Sequence, residues 1–340
     1  MAKILITGAA GFIGFHLAKR LCSTADEIIG IDNLNSYYDL SLKYDRLREL
    51  GIEPKDLEGK TPLSSCKYEN FNFIQADISD ANQIQQLFKA YCFDQVIHLA
   101  AQAGIRYSFE HPETYVQVNI VGTFNVFESS RLYGVKHVIY ASSSSVYGKN
   151  ESEIFSTDDK CESPINMYAA SKKSNELMAH SYATLHNMKV TGLRFFTVYG
   201  PWGRPDMAPM LFADAINKGN TIKLFNHGDM HRDFTYIDDI IEGICLVAHK
   251  PFKGRYNIFN IGNSKPVYLK DFVQNMQEKL GKKAIIEYLP MQKGEAYKTY
   301  ADITPMKELF SFSPKVNIDE GLTSFIDWYK NYYGDTACAV

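Results

Sequence analysis

The chain has 340 residues, 45% hydrophobic and 22% charged, close to the averages of folded soluble proteins and long enough for one large or two ordinary domains. Thirty-six Lys and Arg against 39 Asp and Glu leave a formal net charge of −3, which gives no basic field to collect nucleic acid or an anionic membrane surface. Six cysteines (Cys22, Cys66, Cys92, Cys161, Cys245, Cys338) stand singly, with no metal-ligand spacing near the nine histidines, and read as reduced thiols of a cytoplasmic protein that binds no metal.

No apolar run approaches the about 18 residues of a spanning helix, and glycines soon interrupt the opening apolar stretch, unlike a signal peptide. Short β-branched runs then alternate with longer amphipathic stretches. Strands are predicted over 3–7, 27–31, 71–76, 94–99, 135–141 and 189–194, with helices between them. That order implies an α/β fold, a Rossmann-type doubly wound parallel sheet with ligands at the carboxyl ends of its strands. The polar, turn-rich stretch 51–67 is expected to be an exposed excursion between the second and third strands. After about residue 195, glycines, prolines and aromatics break the alternation. The expected division is a first domain over 1–195, with a return segment near 235–262, and a smaller irregular α/β domain over 196–340 with helices at 207–218, 268–279 and 319–331.

Directly after the first strand, Gly8, Gly11 and Gly14 stand three apart, with Phe12 and Ile13 between the last two. Glycine lets a backbone approach a pyrophosphate, and a helix amino end offers unpaired N–H donors and a positive dipole. A tight strand-to-helix turn would use the same residues. Asp32 closes the second strand 18 residues beyond Gly14, where an acid bonds both ribose hydroxyls and repels a 2′-phosphate, favouring NAD over NADP. Followed by Asn33 and Asn35, it also fits a turn or cap. Asp77 and Ile78 end the third strand on the adenine side, and Leu99, Ala100 and Ala101 follow His98 beside the pyrophosphate path, though strand-end packing explains either.

Tyr168-Ala169-Ala170-Ser171-Lys172 places a tyrosine and a lysine on one helix face. A tyrosine with a free pKa of about 10 is a poor base near neutrality unless a fixed positive charge stabilises its phenolate. Lys172 would supply that charge, and a hydroxyl from the serine run 142–145 would hold the same substrate oxygen. The plain alternative is an amphipathic helix with a core tyrosine and a surface lysine.

Together these residues resemble the extended short-chain dehydrogenase/reductase family over nearly the whole chain, and within it the nucleotide-sugar 4-epimerases. The matching segments are 32–39 (DNLNSYYD), 98–108 (HLAAQAGIRYS), 140–148 (YASSSSVYG), 192–208 (GLRFFTVYGPWGRPDMA) and 232–239 (RDFTYIDD). The resemblance implies an NAD-dependent isomerase that interconverts UDP-glucuronate and UDP-galacturonate by oxidation at C4, rotation of the 4-keto sugar and re-reduction. It also implies polysaccharide biosynthesis as the setting, and a homodimer through helices near 109–132 and 164–187. Tyr168, Lys172 and Ser143 would be catalytic. Gly8, Gly11, Phe12, Ile13, Gly14, Asp32, Asn33, Asn35, Ser36, Asp77, Ile78, Leu99, Ala100, Ala101, Asn119 and Phe195 would hold the cofactor with Tyr168 and Lys172.

On the sugar side the resemblance implies Arg106, Ser144, Ser145 and Thr197, with Ser142 nearby. Arg204 matches the family's carboxylate-binding arginine, whose planar fork would keep the carboxylate out of alignment with the 4-ketone and prevent loss of carbon dioxide. A loop salt bridge to Asp206 is its alternative. Arg232 falls at the diphosphate, or pairs with Asp233 or Asp238, while Lys223 and Phe225 fall at the uracil and Glu295 at the ribose. The family's 4,6-dehydratases carry Thr-Asp-Glu where this chain has Ser143-Ser144-Ser145, which disfavours dehydration. A UDP-glucuronate decarboxylase, a UDP-galactose 4-epimerase and a non-catalytic NAD sensor are the competing readings.

Overall fold

The computed structural model describes residues 2–57, 62–150, 152–291 and 296–334. The chain divides into two units. The first takes Met1–Gly148, Cys161–Arg194 and Ile244–Phe259, and the second Lys149–Lys160, Phe195–Gly243 and Asn260–Val340. The early detour of 149–160 into the second unit has no counterpart in the division expected from sequence.

In chain order the strands are β1 (Lys3–Thr7), β2 (Glu27–Asp32), β3 (Leu63–Ser64), β4 (Phe71–Gln75), β5 (Gln95–His98), β6 (His137–Ser143), β7 (Val190–Phe195), β8 (Thr197–Tyr199), β9 (Thr221–Leu224), β10 (His231–Arg232), β11 (Phe234–Tyr236), β12 (Tyr256–Ile261), β13 (Val267–Tyr268) and β14 (Ile285–Tyr288). An eight-stranded sheet runs β12-β7-β6-β5-β1-β2-β4-β3. β1 pairs in parallel with β2 on one side and β5 on the other, so the order reverses there and opens a crevice beyond the carboxyl ends of β1 and β5.

The central strands are continuous apolar runs because helices cover both faces. Leu5, Ile29, Val96 and Val138 are buried with Phe88, Phe127 and Tyr140 in one core. The helix Ala81–Tyr91 starts at Asp80, whose side chain accepts from Gln83 N at 3.0 Å, and Asn166 caps Met167–His186 by accepting from Ala169 N at 2.8 Å. The excursion expected over 51–67 is corrected in part. Leu63 and Ser64 form an antiparallel edge strand on β4, too short and polar for its composition to separate it from a loop.

In the second unit β8 pairs in parallel with β11, β9 in parallel with β14, and β10 antiparallel with β13. The expected helices are present as Ala208–Lys218, Leu269–Leu280 and Ile318–Tyr333. Phe234 and Phe272 stack at 4.1 Å in its core, and Gly321 admits the Tyr199 hydroxyl where a Cβ would stand only 2.1 Å from it. Among the described residues no helix is long and apolar enough to cross a membrane, and no group of His, Cys, Asp and Glu could hold a metal ion.

Candidate active site

The turn after β1 is built around its glycines. Gly8, at φ +76°, donates to Ile31 O at 2.7 Å, and a Cβ on it would stand 2.8 Å from Ala100 N. A Cβ on Gly14 would lie 2.0 Å from Gly8 O, and one on Gly11 3.0 Å from the same atom. The helix Phe12–Leu21 therefore sits directly on the turn. Phe12 is buried behind it and Ile13 half-buried. The helix opens at Gly11 with no side-chain cap and no acid in its first turn, so its first N–H groups and dipole suit a phosphate. Buried Arg46 donates to Ala10 O at 2.9 Å and braces the turn.

Asp32 is buried at the end of β2 and uses Oδ1 to accept from Leu34 N at 2.9 Å and Lys43 Nζ at 3.4 Å. Lys43 also donates to Asn35 Oδ1 at 3.1 Å, and Asn33 Oδ1 accepts from Asn35 N at 3.1 Å. Ser36 is exposed beside them. Asn33 donates to Asp77 at 3.0 Å. Burial works against the charge on Asp77, but bonds from Asn33 and Ser79 outweigh it and hold its pKa below the usual carboxylate range. Ile78 is buried against Gly122. A buried acid at the end of β2 beside the glycine turn fits an NAD.

At the end of β5, Leu99 N and Ala100 N each donate to Thr7 Oγ1 at 3.1 Å, and Ala101 follows half-buried. His98 lies between Thr7 Oγ1 at 2.7 Å and Thr123 Oγ1 at 3.0 Å. Burial, aided by the Lys172 charge, pushes its pKa down to about 3, so it is neutral. Asn119 spends both amide hydrogens on Gln102 O and Ser171 Oγ, at 2.9 and 3.0 Å, and accepts from Gln102 N at 2.8 Å. It ties the loop after β5 to the helix of Tyr168, from a π-helical stretch over Tyr115–Gly122.

Lys172 is buried, donates to Ala141 O at 2.8 Å, and is pushed down to about 8 by burial, which leaves it protonated at neutrality. Tyr168, one turn earlier, packs edge-on against Tyr115 at 6.2 Å, and the Tyr115 hydroxyl is fixed on Ala103 O at 2.9 Å. Ser143 ends β6, and its Oγ accepts from Ser145 N at 3.1 Å; Ser144 and Ser145 are half-buried in the turn that follows. The first unit thus brings Ser143, Tyr168 and Lys172 to the end of β6 and its neighbouring helix. Ser142 is a correction. Being buried, its hydroxyl donates to Glu176 Oε1 at 2.7 Å and so faces the core, since adjacent strand residues point to opposite faces.

In the second unit Phe195 is buried and Thr197 lies on β8, opposite Phe234. Arg204 realises the alternative reading of its loop: Nε and Nη2 donate to the two carboxylate oxygens of Asp206 at 3.0 and 2.7 Å. Lys223 is on the exposed edge of β9, and Phe225 opens the turn after it. Arg232 Nη1 donates to the carbonyls of His231 and Tyr297, each at 3.0 Å. Asp233 is instead taken by the backbone N–H groups of Asn263, Ser264 and Ala301 at 2.7, 3.0 and 3.0 Å. Arg106, in the first unit, is exposed at the start of the short helix Tyr107–Glu110. Glu295 lies outside the described residues. The supporting side chains Lys43, Arg46, Glu176 and Arg194 escaped the sequence reading, although Glu176 stands one further helical turn along the Tyr168–Lys172 face.

A phosphate cradle at a strand switch point, beside a tyrosine and a buried lysine one turn apart, defines a Rossmann enzyme that works on a nicotinamide cofactor. Residues 4–262 match the NAD dependent epimerase/dehydratase family, and the chain belongs to it. Protein CapI of Staphylococcus aureus is 45% identical over 347 residues, covering 97% of this chain and 99% of that protein. A UDP-glucuronate 4-epimerase of Thermodesulfobacterium geofontis is 40% identical over 331 residues, covering 97% of each. The crystal structure of UDP-glucuronic acid 4-epimerase from Bacillus cereus, in complex with UDP-glucuronic acid and NAD, matches with a TM-score of 0.86 at 32% identity, covering 97% of this chain and 100% of that one.

Proposed function

We propose that this protein interconverts UDP-glucuronate and UDP-galacturonate. The observation that carries the reading is the end-to-end likeness to UDP-glucuronate 4-epimerases in a chain that keeps Ser143, Tyr168 and Lys172. NAD, when bound, would supply the hydride chemistry at C4 of the sugar, outward from one face and back to the other. The glycine turn at Gly8, Gly11 and Gly14 would hold its diphosphate, Asp32 its adenosine ribose, and Asp77 and Ile78 its adenine side. Tyr168 takes the proton of the 4-hydroxyl and later returns it. The Lys172 ammonium lowers the cost of the phenolate, and Ser143 holds the same sugar oxygen.

On the sugar, Arg204 would receive the carboxylate, with Ser144, Ser145, Thr197 and Arg106 around it. Arg232 would meet the diphosphate, Lys223 and Phe225 the uracil, and Glu295 the ribose. The proposal extends to a cytoplasmic homodimer that supplies polysaccharide synthesis. Support for the dimer comes from apolar side chains left exposed on the first unit's helices, Phe109, Phe124, Leu132, Leu177 and Leu185.

Incubation with UDP-glucuronate and NAD, followed by NMR of the sugar nucleotides, tests the activity. The expected product is UDP-galacturonate without net change in NAD. A UDP-pentose with carbon dioxide as the main product would make the protein a decarboxylase, and equal turnover of UDP-galactose would make it a neutral-sugar epimerase. Sedimentation gives the oligomeric state.

A further inference from the structure

Trp202 has φ +61°, the left-handed region, where a bulky side chain is an outlier and persists only if its surroundings over-determine it. Those surroundings are the last helix of the second unit. The Trp202 ring lies 5.5 Å from Trp328 and 5.1 Å from Tyr332, and Trp328 and Tyr332 stack on each other at 5.4 Å and 19°. Phe325, 6.2 Å from Trp328, closes the cluster from the core side. The turn itself is tight: a Cβ on Gly203 would stand 3.1 Å from Gly200 O, and Met207 N donates to Arg204 O at 3.2 Å. Arg204 therefore leaves a short, rigid turn whose root is the Trp202 indole.

We propose that Trp202 is a positioning residue: clamped by Trp328 and Tyr332, it holds the 200–206 turn in the left-handed bend that aims the Arg204 guanidinium. Through that aim it sets both the preference for a sugar carboxylate and the fate of the 4-keto sugar. The inference rests on the reading of Arg204 as the carboxylate's partner. Two parallel N–H donors hold a carboxylate in one place and plane, so a tilt of the turn releases it and lets the C5–C6 bond swing into alignment with the π system of the 4-ketone. Loss of carbon dioxide then breaks the C5–C6 bond and leaves its electron pair in the enolate of the 4-ketone. A proton is taken up at C5, and re-reduction gives the UDP-pentose. A misplacement of about 1 Å by residues away from the chemistry can cost about a hundredfold in rate.

The test compares Trp202→Gly, which keeps the left-handed bend at no steric cost but removes the indole, with Trp202→Phe, Tyr332→Leu and Arg204→Ala. Each is given UDP-glucuronate and NAD, and UDP-galacturonate, UDP-pentose and carbon dioxide are quantified. The kcat/KM ratio for UDP-glucuronate over UDP-glucose and NAD affinity are measured alongside. Trp202→Gly and Tyr332→Leu should raise the pentose share of products and lower the selectivity ratio, each by about fivefold or more, as loss of a modest interaction would. Trp202→Phe should fall between, and NAD affinity should hold. Product share is a ratio within the same turnovers, so a smaller folded fraction leaves it unmoved. If Trp202→Gly does not fold, Tyr332→Leu and Trp202→Phe carry the same measurement. Lower turnover with unchanged share and selectivity, while Arg204→Ala moves both, would overturn the clamp and leave the Arg204 reading standing. An Arg204→Ala enzyme with both unchanged would overturn that reading, and the clamp with it.

Discussion

Arg194 and Glu176 form a two-point ion pair inside the first unit, Nε to Oε1 at 2.8 Å and Nη2 to Oε2 at 2.9 Å, with both side chains buried. Ser142 donates into the same carboxylate, and the Arg194 guanidinium lies 4.8 Å over the Tyr147 ring. The pair therefore joins three pieces of the candidate site's frame: the helix of Tyr168 and Lys172, the end of β6 that carries Ser143, and the end of β7. Burial works against the Glu176 charge, yet Arg194 and Ser142 hold its pKa below the usual carboxylate range.

Glu176→Ala should destabilise the protein by about 3–5 kcal/mol, because it strands the buried guanidinium. A paired Glu176→Leu and Arg194→Met replacement should recover most of that in urea unfolding while turnover stays low, since nothing then fixes Ser142 and its neighbour Ser143. Full recovery of turnover in the double variant would mean that the pair serves stability alone.

Lys172 costs stability in return for its charge. Burial brings its pKa from 10.5 to about 8, so between those values the unfolded chain holds a proton that the folded chain releases, and stability rises with pH across that window. Below about pH 8 the penalty is present in full, on the order of 3 kcal/mol. Without cofactor, Lys172→Met should raise the melting temperature by a few degrees near neutrality and lower turnover by orders of magnitude. A variant that melts lower would show that the Ala141 bond outweighs the desolvation. Tyr168→Phe should lose turnover as deeply with little change in melting.

Two histidines make the first unit sensitive to acid. His98 and His137 are buried, and burial first, then a nearby lysine charge, lowers each from 6.5 to about 3. Between those values the unfolded chain binds protons that the folded chain refuses, so stability is present above about pH 6.5 and falls on acidification, by up to about 1.4 kcal/mol per group for each pH unit. His137→Gln can keep contacts to Gln95 and Thr191 while removing one titrating group. Urea midpoints from pH 7 to 5 should therefore fall less steeply for the variant than for the wild type, with carboxylate contributions cancelling in the difference. Parallel slopes would place the acid sensitivity elsewhere.

The sheet was legible because buried parallel strands are near-continuous apolar runs: β1, β2, β4, β5, β6 and β7 fall within two residues of the runs that predicted them. Gly8, Gly11 and Gly14 were legible by their spacing, and the contacts a Cβ would make there, to Ala100 N and to Gly8 O, are those of the tight strand-to-helix turn. Groups that act through tertiary geometry were harder to see. Ser142 looked like its three serine neighbours, and only the pleat and the distant Glu176 turn it inward. Lys43 and Arg46 read as ordinary charges of the helix Leu40–Glu49, yet burial makes one the partner of Asp32 and the other the brace of Ala10. Local sequence gives no sign that Trp202 is left-handed, because the rings that hold it, Trp328 and Tyr332, come about 130 residues later.

The Arg204–Asp206 pair sets a last prediction about how a substrate carboxylate is received. Both donors of the guanidinium fork face Asp206, at 3.0 and 2.7 Å, and the two side chains are 23% and 27% exposed. Solvent reaches a pair of that kind, which limits its worth to about 1 kcal/mol or less. On the proposed reading of Arg204, a carboxylate delivered by a bound UDP-sugar arrives at a high effective concentration and takes the fork over, with Asp206 as its internal competitor. Asp206→Asn removes the competing charge and keeps the shape of the turn. The KM for UDP-glucuronate should then fall by about two- to fivefold, matching the modest strength of the pair, while the KM for UDP-glucose stays as it was. Added salt should narrow the gap between variant and wild type, because it screens an exposed pair more than a buried contact. A rise in KM for the uronate alone would give Asp206 the opposite role, that of a support which aims the guanidinium.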